Sequence, residues 1–390
     1  GRQCDVHSVH GVYPEWSNGV ECVRQDVIFR SICCVYVHSF SQYDFPFSGV
    51  LMIKFPSIDQ YRQSIKNVQS WASYHNIKIP TLVVEGTVKV HGTNAGLVRP
   101  VGGGAIVAQS RERELTIESD NAGFAIWVEA NKDSLQKLFD EIERVTKPTS
   151  GFVQVFGEWA GGNIQSGVGV TGLPKFLMVF GIRISEDAEP QVWEPREVYE
   201  EVFGAWSHPS VYHKYQFKNW ELTIDFENPA LVQNEMVELT NQVERECPVA
   251  RFFKPDAEPD ALVGEGIVWT LMNRSEHEGH QLPHLAWKCK GSAHSVSKVK
   301  TTAMVDVEKA KSAADFVDYA VTDNRLKQMF DKMDELGHPK DQTQTGTYIK
   351  LVQADVLKEE SDVMVASLLE VRDVAGLIAR RAKDFWFENI

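Results

Sequence analysis

The sequence lacks any apolar run long enough to cross a membrane. No stretch reaches the ~18 uninterrupted apolar residues of a span, and the nearest, Val27 to Val37, is short and contains Arg30. A secretory leader, a basic start followed by an apolar run, is not expected, because Asp5 and Glu15 argue against that order. An intracellular, cytoplasmic protein without a membrane partner is expected. Positive charge is short as well: the net charge is −14. That excludes nucleic-acid binding through overall charge, so any such site must be a local basic patch on an acidic body. C-x-x-C is absent, which leaves a zinc site little support. Of the cysteines, Cys4, Cys22, Cys33 and Cys34 crowd the first residues, and Cys247 and Cys289 stand alone. So large a chain, mostly free of cysteine, does not read as a disulfide scaffold. Internal repeats and low-complexity tracts are missing too.

What is present is an ordinary folded composition, 43% hydrophobic and 24% charged, in 390 residues, enough for two domains or for one with an appendage. Residues 1–51 are rich in Cys, His, Ser and aromatics and show no period. They read either as a non-native or poorly ordered extension upstream of a natural start at Met52, or as an appendage folded onto the core. A helix is expected next. Ser57 and Gln60 form an S-x-x-Q capping box, and Ile58, Tyr61, Ile65, Val68 and Ala72 recur on one helical face. From Thr81 to about Lys300 short strand-like runs alternate with glycine turns: Thr81–Val88, Phe152–Phe156, Phe176–Ile184 and Ile267–Trp269. From Val305 the pattern turns helical. One stripe runs through Leu326, Met329, Phe330, Met333 and Leu336 and ends at Gly337 and Pro339; another runs through Met364, Leu368, Val371 and Ile378. Such stripes are core packing. The expected division is an extension over 1–51, an α+β domain over 52–300 and a helical domain over 301–390.

Chemistry concentrates in Lys89-Val90-His91-Gly92-Thr93-Asn94, directly after an apolar β-rich run, which puts Lys89 at a strand end. A lysine attacks phosphorus only as the free amine, so its pKa, ~10.4 unperturbed, has to be lowered by burial or nearby cations. Gly92 lets the backbone approach a nucleotide closely. Asn94 offers an amide to a ribose or phosphate oxygen. A bare K-x-x-G carries little information; the six-residue form carries much more.

KVHGTN resembles motif I of the covalent nucleotidyltransferases, in the version of the RNA ligase 2-like family, which includes bacteriophage RNA ligases and RNA-editing ligases. DNA ligases and capping enzymes usually have Asp where His91 stands. Further segments follow in the family's order: Gln109-Ser110-Arg111, Phe156-Gly157-Glu158 (motif III), Leu177 to Phe180 (motif IIIa), Glu265-Gly266-Ile267-Val268 (motif IV) and Lys288-Cys289-Lys290 (motif V). Five ordered matches after motif I speak against coincidence. The resemblance covers about 52–300 and implies an adenylation domain of the DNA/RNA ligase type, ATP-grasp-like, with antiparallel sheets, flanking helices and a small helical C-terminal domain. It implies an ATP-dependent RNA ligase that joins 3′-hydroxyl and 5′-phosphate RNA ends through a lysyl-AMP on Lys89, with Mg²⁺ as metal and Mn²⁺ as an alternative.

The matched residues suit those roles. Lys288 and Lys290 can neutralise phosphate charge and lower the pKa of Lys89. Arg111 can grip a phosphate or ribose. Glu158 and Glu265 suit a hydrated divalent cation, and Phe180 can stack on adenine. Each alone has a plain structural reading too: core aromatic, surface acid, salt-bridge partner, solvated lysine loop at 288–300. The family's best-known members place Glu before the lysine to read the adenine amino group. Here that position is Val88, and Glu85 lies four residues before Lys89, ~13 Å back along the strand, so main-chain carbonyls near Thr87 and Val88 are left to read the base. Gly102-Gly103-Gly104 reads as a hairpin loop and Gly161-Gly162-Asn163 as a flexible loop, because no phosphate-loop pattern follows either. His277, His280 and His284 have metal-like spacing but no accompanying acid or cysteine. Two rival functions stand: a ligase-derived RNA-binding protein without catalysis, and a DNA ligase or capping-type nucleotidyltransferase, against which K-x-H-G argues.

Overall fold

The chain enters the folded body as an extended strip. A computed structural model describes residues 52–185, 192–272, 276–295 and 313–390; the segment 1–51 and the lysines at 298 and 300 lie outside the described residues. Helix α1 (Tyr61–Tyr74) follows the strip and buries Tyr61, Ser64, Ile65, Val68 and Ala72 on one face. The capping box sits three residues later than the S-x-x-Q pattern suggested. Gln60 is the N-cap, and its N–H donates to Gln63 Oε1 at 2.9 Å. The cause is tertiary: Asp59 pairs with Trp287 in a parallel bridge, donating to Ala286 O and accepting from Lys288 N, both at 3.0 Å. The sheet claims residues 57–59 before the helix can.

In chain order there follow β1 (Thr81–Lys89), β2 (Thr93–Pro100), β3 (Val107–Ser110), β4 (Glu114–Leu115), α2 (Phe124–Ala130), α3 (Lys132–Thr146), β5 (Phe152–Ala160), β6 (Phe176–Ser185) and β7 (Val192–Trp193). Next come α4 (Arg196–Ala205), β8 (Val211–His213), β9 (Asn219–Asp225), α5 (Gln233–Arg245), α6 (Pro248–Phe253), β10 (Gly266–Leu271), β11 (Glu276–His277), β12 (His280–Gln281) and β13 (Ala286–Lys290). The β-branched and aromatic runs form the strands, and glycine turns separate them. Gly102-Gly103-Gly104, all at positive φ, closes the antiparallel β2–β3 hairpin. One sheet has the order β13-β10-β1-β9; a second runs β4-β3-β2-β5-β6-β7, with β8 parallel to β6. The first packs with α1, α5 and α6 around Val84, Val88, Trp269 and Trp287; the second packs with α2, α3 and α4 around Leu97, Leu138, Phe139 and Val155. The protein is thus a mixed α+β chain of antiparallel sheets and helices.

The last described stretch holds α7 (Ala313–Ala320), α8 (Asp323–Glu335), α9 (Thr345–Ala366) and α10 (Val371–Asn389), which share a core of Phe316, Leu326, Met329, Met333, Tyr348, Val352, Ile378 and Trp386. Burying each such side chain contributes roughly 2 kcal/mol. The Met364–Ile378 stripe is not one helix. Met364 and Ile378 are buried, but Leu368 is 90% exposed at positive φ and Val371 is exposed, because the chain turns between α9 and α10. No helix among the described residues is long and apolar enough to cross a membrane.

Candidate active site

Strand alternation sets the site. On β1, Val84 and Val88 enter the core, so Glu85, Thr87 and Lys89 project to the other face. On β13, Trp287 and Cys289 face the core side, which sends Lys288 and Lys290 the other way. The antiparallel register aligns Lys89 with Gly266 and Gly266 with Lys290. Two lysines thus stand in one row, a strand apart. Gly266 is needed there: an added Cβ would lie 2.0 Å from Cys289 O.

Glu265, only 2% exposed, fills the gap between them. Its Oε2 lies 2.8 Å from Lys89 Nζ and 3.2 Å from His91 Nδ1, and its Oε1 lies 3.0 Å from Lys290 Nζ. The second sheet supplies the opposite wall. Asn94 and Glu158 are cross-strand partners on β2 and β5. Gly92 N donates to Glu158 Oε1 at 3.0 Å. A side chain at Gly92 is impossible without rearrangement, because its Cβ would meet Trp159 O at 2.3 Å. The glycine is therefore demanded by the close approach of the β1–β2 connection to β5, which brings Glu158 under the motif. Phe180, half-buried on β6, meets Phe55 edge-on with ring centroids 4.9 Å apart.

The charge states follow from these distances. Burial penalises the Lys89 ammonium, but Glu265 and then Glu158 outweigh it, and the pKa is raised. This corrects the expectation that burial or neighbouring cations lower it: the carboxylates win. Burial likewise opposes the charge of Glu265, yet Lys89, Lys290 and His91 hold it well below the usual carboxylate range. For Lys290 burial prevails, and its pKa is lowered. Glu158 is pushed up to about 7, chiefly by burial, with Lys89 opposing and Glu265 and Glu335 adding to the rise. His294, whose ring meets that of His91 at 5.2 Å, is pushed down to about 4 by burial and the His91 charge.

The structure brings Lys89, His91, Glu265 and Lys290 into direct contact and sets Gly92, Asn94 and Glu158 beside them. Arg111 lies at the edge, its Nη2 3.4 Å from Ser57 Oγ. Lys288 does not touch this cluster; it pairs with Glu359 of α9 at 2.7 Å. The Val88 side chain packs in the core, so only its backbone is available to a base. Among the described residues no group of three or more His, Cys, Asp or Glu is placed to hold a metal, and that includes His277, His280 and His284. Glu158 and Glu265 offer two carboxylates, and a hydrated ion that keeps its own waters fits such a pair. Sequence reasoning missed Thr93, Gln328, Glu335 and Glu359. Thr93 Oγ donates to Glu335 Oε1 at 2.8 Å, and Lys290 Nζ donates to Gln328 Oε1 at 3.2 Å. Thr93 was legible inside the motif; the other three sit in ordinary amphipathic helices and carry no pattern of their own.

Two antiparallel sheets meeting over a buried lysine–carboxylate–lysine row define the class. The chain belongs to the RNA ligase family: the family model of that description matches residues 82–288, just over half of the 390. No curated protein matches it. Among solved structures it is similar to a Naegleria gruberi RNA ligase mutant with AMP and Mn, at 14% identity and a TM-score of 0.38, over 64% of this chain and 58% of that one. It is also similar to Naegleria gruberi RNA ligase with PPi, at 14% identity and a TM-score of 0.39, over 65% and 63%. The chain thus spans less than two thirds of the structures it matches.

Proposed function

We propose that the protein is an ATP-dependent RNA ligase working through a covalent lysyl-AMP, with residues 52–300 as its nucleotidyltransferase domain. The observation that carries this reading is Lys89 at a strand end, clamped by Glu265 beside Lys290 and facing Glu158. In the first step Lys89 Nζ attacks the α-phosphorus of ATP; a P–N bond forms, the P–O bond breaks and pyrophosphate leaves. AMP then passes to the 5′-phosphate of an RNA end, freeing Lys89. A 3′-hydroxyl finally displaces AMP and forms the phosphodiester.

Lys89 must be neutral to attack, so the contact that keeps it charged has to be given up first. Glu265 is therefore a restraint as well as a neighbour. Lys290 and Arg111 supply charge to the phosphates. Asn94 and the Gly92 backbone face the same space. Phe180 supplies an aromatic face for the base, which leaves main-chain groups of Thr87 and Val88 to select adenine. Glu158 and Glu265 would hold Mg²⁺, or Mn²⁺, which would draw off charge developing on the phosphates.

Incubation with α-labelled ATP followed by denaturing electrophoresis tests the reading. The expected result is a covalently labelled chain whose label is lost in Lys89→Ala while circular dichroism is unchanged. Normal labelling of that variant refutes Lys89 as nucleophile. A wild-type chain that binds RNA but takes no label would instead be a ligase-derived binding protein.

A further inference from the structure

The helices at the C-terminal end place carboxylates where the proposed nucleotide site has its cations and hydroxyls. Glu359 on α9 holds Lys288 at 2.7 Å and accepts from Gln60 Nε2 at 3.0 Å. Glu335, at the end of α8, accepts from Thr93 Oγ, and Arg113 Nε donates to its carbonyl at 3.2 Å. Gln328 on α8 takes Lys290. Around this rim, Arg62 of α1 reaches Glu360 at 2.7 Å and Asp362 at 3.1 Å, and Lys358 donates to Ser57 Oγ at 2.6 Å. The contacts join helix to body through charged and polar groups. Glu360 is fully buried and Lys288 and Glu359 are largely so, so the helices leave only where another charged group takes over the partner that each contact gives up.

We propose that α8 and α9 form a lid over the nucleotide site, with Glu359 and Glu335 standing in for phosphates of the incoming nucleotide, so that polyphosphate and lid compete for the same groups. This rests on the adenylation reading for the identity of the ligand. Lys288 cannot serve a phosphate while Glu359 holds it, and the Thr93 hydroxyl is likewise committed. Each phosphate oxygen that arrives replaces a carboxylate oxygen, taking Lys288 from Glu359 and Thr93 from Glu335 and setting both carboxylates beside new negative charge. Nucleotide loading and lid opening are therefore one equilibrium. The closed fraction weakens apparent affinity in proportion to its population. Once AMP is on Lys89 and pyrophosphate has gone, the same cations are free for an RNA end.

The test uses the full chain in two measurements. Self-adenylation is followed against ATP concentration in the wild type and in Glu335→Gln/Glu359→Gln, which keeps hydrogen-bonding shape and removes charge. The KM for ATP is expected to fall roughly fivefold, the net value of one ion pair and one hydrogen bond to a carboxylate after the cost of desolvation is set against them. Backbone hydrogen exchange over residues 355–362 is then recorded with inorganic tripolyphosphate as probe and is expected to rise severalfold in the wild type. An unchanged or higher KM, or exchange that stays level or falls, overturns the lid. Absence of labelling in both proteins overturns the adenylation reading instead, and the exchange result still decides the lid by itself.

Discussion

Replacing Glu158 by Gln should make the protein more stable, and increasingly so as pH rises. The carboxyl lies in the cleft between the sheets, accepts from Gly92 N and faces Glu265 and Glu335 across the site. Its pKa moves from an ordinary 4.5 to about 7, chiefly through burial. In the unfolded chain the group ionises near its ordinary value; in the folded chain it keeps its proton until neutrality. Between those limits folding takes up a proton, so stability falls as pH rises through the window and levels off above it. At 1.4 kcal/mol per pH unit the full penalty is about 3 kcal/mol, and residual contact with solvent in the cleft reduces this to about 2. The glutamine amide of Glu158→Gln retains the oxygen that accepts from Gly92 and carries no such penalty. Urea unfolding of both proteins at pH 5 and pH 8, followed by far-ultraviolet circular dichroism, reads the difference. The variant's advantage over wild type should grow by about 2 kcal/mol from the lower to the higher pH. An advantage that stays constant, or that shrinks with pH, would refute the argument, because it would mean that folding does not hold the proton on Glu158.

Three further outcomes are expected. Label should transfer from α-labelled ATP much better than from GTP, and equal labelling would show that backbone groups near Val88 do not read the base. Arg325→Leu should cost about 3 kcal/mol, since the fully buried guanidinium pairs with Asp355 and Glu360, and its loss takes one of two cations from a fully buried carboxylate that keeps Arg62 and the Tyr319 hydroxyl; a change below about 1 kcal/mol in chemical denaturation would contradict this. Removing residues 301–390 should leave adenylation of Lys89 but cripple sealing, because RNA needs local cations beyond the ATP site and this stretch carries Arg380, Arg381 and Lys383. Normal sealing, or loss of both activities in a soluble monodisperse product, would refute that division of labour.

Much of the scaffold was legible from sequence because strand alternation and helical stripes are local. Thr81 to Val88 reads as a strand ending at a lysine, and the structure ends β1 on Lys89. Leu326, Met329 and Met333 read as a buried stripe and form one. The family motifs singled out Lys89, Glu265 and Lys290, and the folded chain brings the three into contact; the task of each in phosphate chemistry is the reading proposed above. What sequence could not decide depends on partners remote along the chain. The helix start moved from Ser57 to Gln60 because β13 takes Asp59 into a bridge. The stripe from Met364 to Ile378 divided because a turn at Leu368 satisfies its spacing as well as a continuous helix does. The charge of Lys89 reversed the expected direction because it is a contest among burial, Glu265, Glu158 and Arg111, settled by distances that no spacing encodes. Glu335 and Glu359 look like any solvent-facing acids of an amphipathic helix. Only the packing of α8 and α9 against the cleft brings them to Thr93 and Lys288, because a carboxylate's role is set by what lies within hydrogen-bond reach and not by its neighbours in the chain.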